Sequence, residues 1–251
     1  MPSEGMSFLF AAAGCCAVGL MIGWCGVAGF LLPILFVNAC GLSVAESLFF
    51  SFLCFAVSGA IGAVNYHQRG ELPLGPTLRL SGGSLGGSLA GAALGGLVPA
   101  ETVKMILYAV VLLSGSAIAL RELHPQREAC RDRVPGSWLV LLGAVAGLIC
   151  ALSGAGGPVL VMPLLVVLGF PAKAAVGMAL LDSVFIALPA VAVYGSRCQV
   201  PALVPLLAVA LCSHAVGVTI GSITAVRVPQ SLLKRGVALF SICFALWMLL
   251  K

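Results

Sequence analysis

The residues best placed to do chemistry in this chain are mostly glycines. GWCGVAG spans 23–29 and SGAGGP spans 153–158. Where side chains are missing, a ligand can reach the backbone closely. Each run also precedes an apolar helix, so the first N–H groups and the positive dipole end of that helix face the break. That geometry binds anions without a buried lysine or arginine. Pro158 suits the first turn of such a helix, where its missing N–H costs nothing. The candidate substrate-binding residues are therefore Trp24, Cys25, Gly26, Val27 and Ala28 in the first run, and Ser153, Gly154, Ala155, Gly156 and Gly157 in the second. Trp24 reads either as a gate or as packing. A valine at Gly156 is expected to fill the ligand's space and leave the bundle folded. The rival reading is that these glycines only permit close helix packing.

Asp182 is the one acid deep inside an apolar stretch, VGMALLDSVFIALPA at 176–190. Ionisable groups at such depth are costly and usually functional. Asp182 is thus the candidate proton carrier, against a static hydrogen bond to Ser183 or a neighbouring helix. Glu46 begins its segment near an interface and reads as solvated. Arg79 lies a few residues inside its segment, where it either snorkels to the interface or guards an anion path. SGGSLGGSLAG at 81–91 repeats small residues every four positions, the pattern of close helix packing, while its serines also offer hydroxyls to a cavity. Arg79, Ser84 and His214 are the anion-path candidates. The ten cysteines are scattered without a C-x-x-C, and nine sit in or beside apolar stretches, where free Cys behaves as a small hydrophobe. No phosphate loop or metal-ligand spacing occurs, so neither cofactor nor metal is expected.

The elements that position these residues follow from composition. Of 251 residues 61% are apolar and 8% charged, against about 25% charged in an average soluble domain. With a mean hydropathy of +1.17, the chain reads as an all-α polytopic membrane protein. A soluble enzyme, a nucleic-acid binder and a secreted disulfide scaffold are excluded. The net charge of +5 then informs topology rather than partner choice. Met1 to Met6 hold no Lys or Arg, so the first apolar stretch reads as a mature membrane segment rather than a cleaved signal.

The chain is also duplicated. Gly26 and Pro33 match Gly156 and Pro163; Gly41, Tyr66, Arg69 and Pro73 match Gly169, Tyr194, Arg197 and Pro201; Gly87, Gly91 and Lys104 match Gly217, Gly221 and Lys234. In the same frame His214 aligns with Ser84. Each unit holds five apolar segments: 7–22, 29–40, 46–64, 73–97 and 105–120, then 138–152, 158–169, 174–194, 201–226 and 236–250. The first two of each unit fall short of the roughly 20 residues a span needs, so they read as a hairpin with its tip inside the membrane. Broken backbone is tolerated there only if protein buries it or it lines a watery cavity. Whether the hairpin crosses or re-enters, it returns to its own side, and three further crossings invert the second unit. The loops around Arg69, Lys173 and 227–235, with the four arginines of the linker, hold nine of the thirteen bases. That side is cytoplasmic by the positive-inside rule. The expected organisation is a first repeat at 1–120, a cytoplasmic linker at 121–136 and an inverted second repeat at 137–251, with both termini outside.

Inverted repeats with matched broken helices imply a secondary transporter with a site near the midplane. GAGGPVLVMP at 154–163 with LGFPAKAA at 168–175, and the weaker copy GVAGFLLP at 26–33, resemble the TauE/SafE (TSUP) sulfite-exporter family, the second copy being the closer match. The resemblance implies a carrier in a bacterial inner membrane that moves sulfite, organosulfonates or related small anions, often by export, with the two tips facing the substrate. It implies no enzymatic activity. The partners expected are a small anion, the lipid bilayer and protons as coupling ion. A membrane-embedded thiol or redox enzyme and a structural membrane scaffold remain the alternatives.

Overall fold

The computed structural model describes residues 4–26, 28–95, 134–198 and 200–225, with a few single positions beyond them. The expected fifth segment of each unit and the linker between units fall outside these stretches. The described residues form eight α-helices and no strand: α1 (Glu4–Cys25), α2 (Leu31–Cys40), α3 (Val44–Gln68), α4 (Leu74–Leu94), α5 (Gly136–Ser153), α6 (Gly157–Val167), α7 (Ala172–Gly195) and α8 (Val200–Thr224), with a 3-10 turn at Ala28–Phe30 leading into α2. Among the described residues, four stretches are long and apolar enough to cross a membrane: Val44–Gln68, Gly136–Ser153, Ala172–Gly195 and Leu203–Thr224. α2 and α6 are short, at 10 and 11 residues, as the hairpin reading requires. The opening helices of the two units are not: α1 has 22 residues. α5 runs through the small residues at both its ends and reaches 18 residues, about 27 Å at 1.5 Å per residue.

Local signals explain the boundaries. Ser43 and Glu46 close a reciprocal capping box at the start of α3, which satisfies two backbone donors and holds Glu46 at an exposed helix start. α2 ends on Gly41 at φ 69°, and the N–H groups of Gly41 and Leu42 both turn back to Phe36 O. α5 ends on Gly154 at φ 69°. Left-handed backbone favours glycine because it has no Cβ.

Two glycine-lined seams hold the bundle together. A Cβ on Gly83, Gly87 or Gly91 would strike the backbone of Val140, Ala144 or Leu148 in turn. The contacts climb both helices together, so α4 and α5 run in the same direction. Gly217 and Gly221 of α8 meet Cys16 and Leu20 of α1 in the same way. Small residues let backbones approach where lipid supplies no hydrophobic drive for association. Across the centre, Phe49 meets Gly195, Gly59 meets Leu180 and Tyr66 meets Gly177. These contacts step in opposite senses, so α3 and α7 are antiparallel. A buried cluster that includes Phe50, Phe52, Tyr66, Leu160, Met162 and Tyr194 fills this contact, and the Phe52 ring stacks on Tyr194 at 5.8 Å.

Positions that match in the sequence carry the same geometry. Gly26 and Gly156 sit at φ 75° and 76°, and Gly41 and Gly169 at φ 69° and 98°. Tyr66 Oη donates to Gly23 O at 3.4 Å, and Tyr194 Oη to Ala151 O at 2.9 Å, each across 43 residues.

Candidate functional site

The two tips meet. A Cβ on Gly26 would lie 3.3 Å from Pro158 Cβ, and one on Gly29 3.1 Å from Ala155 O. Between them stands Phe55, halfway along α3, where a Cβ on Gly29 or on Gly156 would press within 2.9 or 2.8 Å of its ring. Ala28, Gly29, Gly154, Ala155, Gly156 and Gly157 are all buried. Ser153 Oγ accepts from Ala155 N at 3.3 Å, and Cys150 Sγ donates to Gly156 O at 3.5 Å. α6 opens at Gly157, and its first-turn amides have no acceptor within their own helix. The expectation that the second tip adds little to the packing is corrected. A valine at Gly156 meets the Phe55 ring and a φ of 76°, so it strains the fold before it tests a ligand.

Asp182 lies beside the second tip, since a Cβ on Gly157 would approach Ser183 Cα at 3.3 Å. The Asp182 side chain is wholly buried. Its Oδ2 is 3.0 Å from Ser84 Oγ, which is also 3.1 Å from Gly143 O. Ser84 has one hydroxyl hydrogen for these two acceptors. If it goes to Asp182, Oδ2 accepts with the carboxyl either ionised or protonated on Oδ1; if it goes to Gly143, a proton on Oδ2 is needed to hold the second contact. Ser81 is the other hydroxyl beside Asp182, yet neither its Oγ nor Asp182 Oδ1 completes a hydrogen bond. Ser183 Oγ turns away from its neighbour to the carbonyls of Leu180 and Phe55, at 2.7 and 3.2 Å.

Residues 2–118 match the family model of the sulfite exporter TauE/SafE. Comparison with curated proteins and with solved structures gave no match. The TauE match covers α1 to α4 and therefore the first tip, Phe55, Arg79 and Ser84. The matched residues include the first motif copy, GVAGFLLP at 26–33. Members of the TauE family are membrane transporters rather than enzymes. Together with the four candidate spans among the described residues, the match supports a multi-pass membrane protein.

The remaining candidates scatter around this centre. Trp24 points away from the second tip and donates through Nε1 to Thr224 Oγ1 at 2.6 Å. Val27 and the Cys25 side chain lie outside the described residues. Arg79 is exposed and packs over Gly136 at the start of α5. His214 is wholly buried, with Nδ1 3.1 Å from Cys15 O. Phe55, Cys54 and Arg69 are site neighbours that residue-type reasoning passed over. Only the 128-residue offset that pairs Phe55 with Ser183 and Cys54 with Asp182 could have found the first two.

Proposed function

We propose that the chain is a secondary carrier exporting a small sulfur-containing anion, such as sulfite or an organosulfonate, from a bacterial cytoplasm by alternating access. The observation that carries this reading is the burial of two matched glycine breaks against one another, halfway along α3. The anion would lie between 25–28 and 154–157, held by main-chain N–H groups, and a shift of the Phe55 ring would admit it. The TauE match over residues 2–118 supports the substrate class. Among the described buried polar side chains there is no lysine or arginine, which suits an anion site made of backbone dipoles.

The two repeats, 1–120 and 137–251, are read as inverted copies joined by a cytoplasmic linker, with both termini outside. Antiparallel α3 and α7, with parallel α4–α5 and α1–α8 seams, support that arrangement. Arg69, the Lys173–Glu71 ion pair at 3.7 Å and the start of α5 share one end, while Arg197 stands at the other, in line with the distribution of bases. Proton coupling is assigned to Asp182.

The carrier reading is tested by thermal shift of purified protein against sulfite, sulfate, thiosulfate, sulfoacetate, taurine and acetate. A true ligand stabilises by RT ln(1 + [L]/Kd), about 2.7 kcal/mol at a hundredfold excess over Kd. One or more sulfur anions should raise Tm while acetate does not. Silence across the whole panel would remove the anion carrier.

Alternating access also makes a prediction about the ends. At the Arg69 end, Arg69 donates to Ser222 O at 2.6 Å, Asn65 Nδ2 to Ser222 Oγ at 2.7 Å and Trp24 to Thr224. At the other end the matched Arg197 lies over the Tyr194 ring, 5.7 Å from its centroid. The first end is read as closed and the second as poised to close, with Arg197 taking the terminal carbonyls of α4 in the opposite state. Hydrogen bonds to charged groups contribute about 1.5–3 kcal/mol, so Arg69→Gln should shift the equilibrium toward an open Arg69 end by roughly tenfold or more. Thiol labelling of a cysteine placed near Gly23 should accelerate accordingly from the cytoplasmic side. Unchanged labelling would show that this cluster is no gate.

A further inference from the structure

His214 holds in the second half the place that Ser84 holds in the first. The two are 130 residues apart, and each contacts a main-chain carbonyl of a helix from the other unit. Ser84 Oγ lies 3.1 Å from Gly143 O on α5, and His214 Nδ1 lies 3.1 Å from Cys15 O on α1. Gly143 and Cys15 are themselves 128 residues apart. Beside Ser84 stands Asp182 of α7, whose match at the same offset is Cys54 of α3. Cys54 is the residue whose main-chain carbonyl stands beside the His214 ring. One half therefore pairs a hydroxyl with an acid, and the other pairs an imidazole with a thiol residue.

The contacts decide the state of the ring. Cys15 O only accepts, so the hydrogen of a neutral imidazole sits on Nδ1. Nε2 is then a bare acceptor, and it is buried with no hydrogen-bond partner. On the α3 side the ring stands beside the Cys54 carbonyl, another acceptor. A proton on Nε2 turns that opposition into a second hydrogen bond, because both nitrogens of an imidazolium donate. The groups facing the ring are the main-chain carbonyls of Cys15 on α1 and Cys54 on α3; the thiols of those two residues lie against one another, and no charged side chain among the described residues faces the ring.

We propose that His214 Nε2 is a second proton-binding site, the counterpart across the two repeats of the Asp182 carboxyl. This rests on the carrier reading for its purpose, though not for its chemistry. A proton on His214 adds positive charge to a core in which no lysine or arginine is buried among the described residues, and a proton on Asp182 removes negative charge. Both changes favour an anion at the tips. The lone pair of Nε2 takes the proton on loading and returns it on release, with no other bond changed.

Nitrogen-15 NMR of histidine-labelled protein in nanodiscs tests this directly. The chain has three histidines, and His214→Gln assigns the signal; His67→Gln and His124→Gln assign it by elimination if that variant does not fold. At about pH 8 the His214 ring should carry its hydrogen on Nδ1, and between about pH 8 and pH 4 the bare nitrogen should gain one. Sulfite or thiosulfate should move that gain to higher pH. A hydrogen on Nε2 at pH 8, or a nitrogen that stays bare while the protein remains folded at pH 4, overturns the assignment. Protonation unmoved by every sulfur anion would uphold the proton site and count against the carrier.

Discussion

Gly87→Ala is expected to fail to accumulate as folded protein, while Gly86→Ala, one residue away, behaves like the parent. A Cβ on Gly87 would strike the Ala144 carbonyl, with its carbon at 2.7 Å and Ala144 Cα at 2.9 Å, whereas a Cβ on Gly86 meets nothing within 4 Å. The obstacle is backbone, so no side chain can turn aside and the two helices must part along the seam. Overpacking of a core by one or two methylenes costs about 1–3 kcal/mol when side chains relax. A backbone collision that also loosens Gly83 and Gly91 exceeds that range and takes much of a stability of about 5–15 kcal/mol. Gly217→Ala, which meets the Cys16 carbonyl in the α1–α8 seam, should fail in the same way. Detergent size exclusion and melting curves read the outcome. A monodisperse Gly87→Ala protein with the parent's Tm would mean that the seam is not packed as described.

Asp182→Asn should abolish pH-driven flux in proteoliposomes, by well over tenfold, while anion exchange between equal pools continues. Asparagine keeps the shape of the side chain and can still meet Ser84 Oγ, which sits 3.0 Å from Oδ2, but it has no proton to exchange. The groups around the carboxyl are Ser81 and Ser84 of α4, the Cys150 thiol of α5 and Ser183 of its own helix. None of these is a Lys, Arg or His, so on the coupling reading the proton that Asp182 accepts comes from the transport path. An anion at the second tip lies close to a carboxylate of the same sign, so protonation and occupancy support one another. Normal pH-driven flux in Asp182→Asn would make the acid structural. Loss of exchange as well as drive would instead mark it as part of the substrate path.

Much of this arrangement is legible in residue order. Two glycine runs at matched places, each opening a short helix, announce broken backbone within the membrane. Tyr66 and Tyr194 with Arg69 and Arg197 mark the matched ends of α3 and α7. A single acid in a run of apolar residues marks Asp182, because such a group is expensive wherever it packs. Hydropathy alone locates α3, α7 and α8 to within a few residues.

Other features are invisible there for a physical reason. In a chain apolar on every side, periodicity does not tell the core face from the lipid face, so nothing marks Phe55 among its neighbouring phenylalanines as the ring between the tips. A stripe of small residues says that a helix approaches another closely, but not which one. That α4 takes α5, and α1 takes α8, emerges only when both halves are packed. The same holds for Trp24, which reads as part of the tip and in the fold reaches Thr224 of the other unit. Residue order by itself determined the membrane class, the matched positions of the two halves and the glycine breaks, because those depend on composition and local backbone freedom. Tertiary structure alone decided which groups those breaks face, setting Asp182 on Ser84 and His214 beside Cys54, since such contacts join helices far apart in the chain.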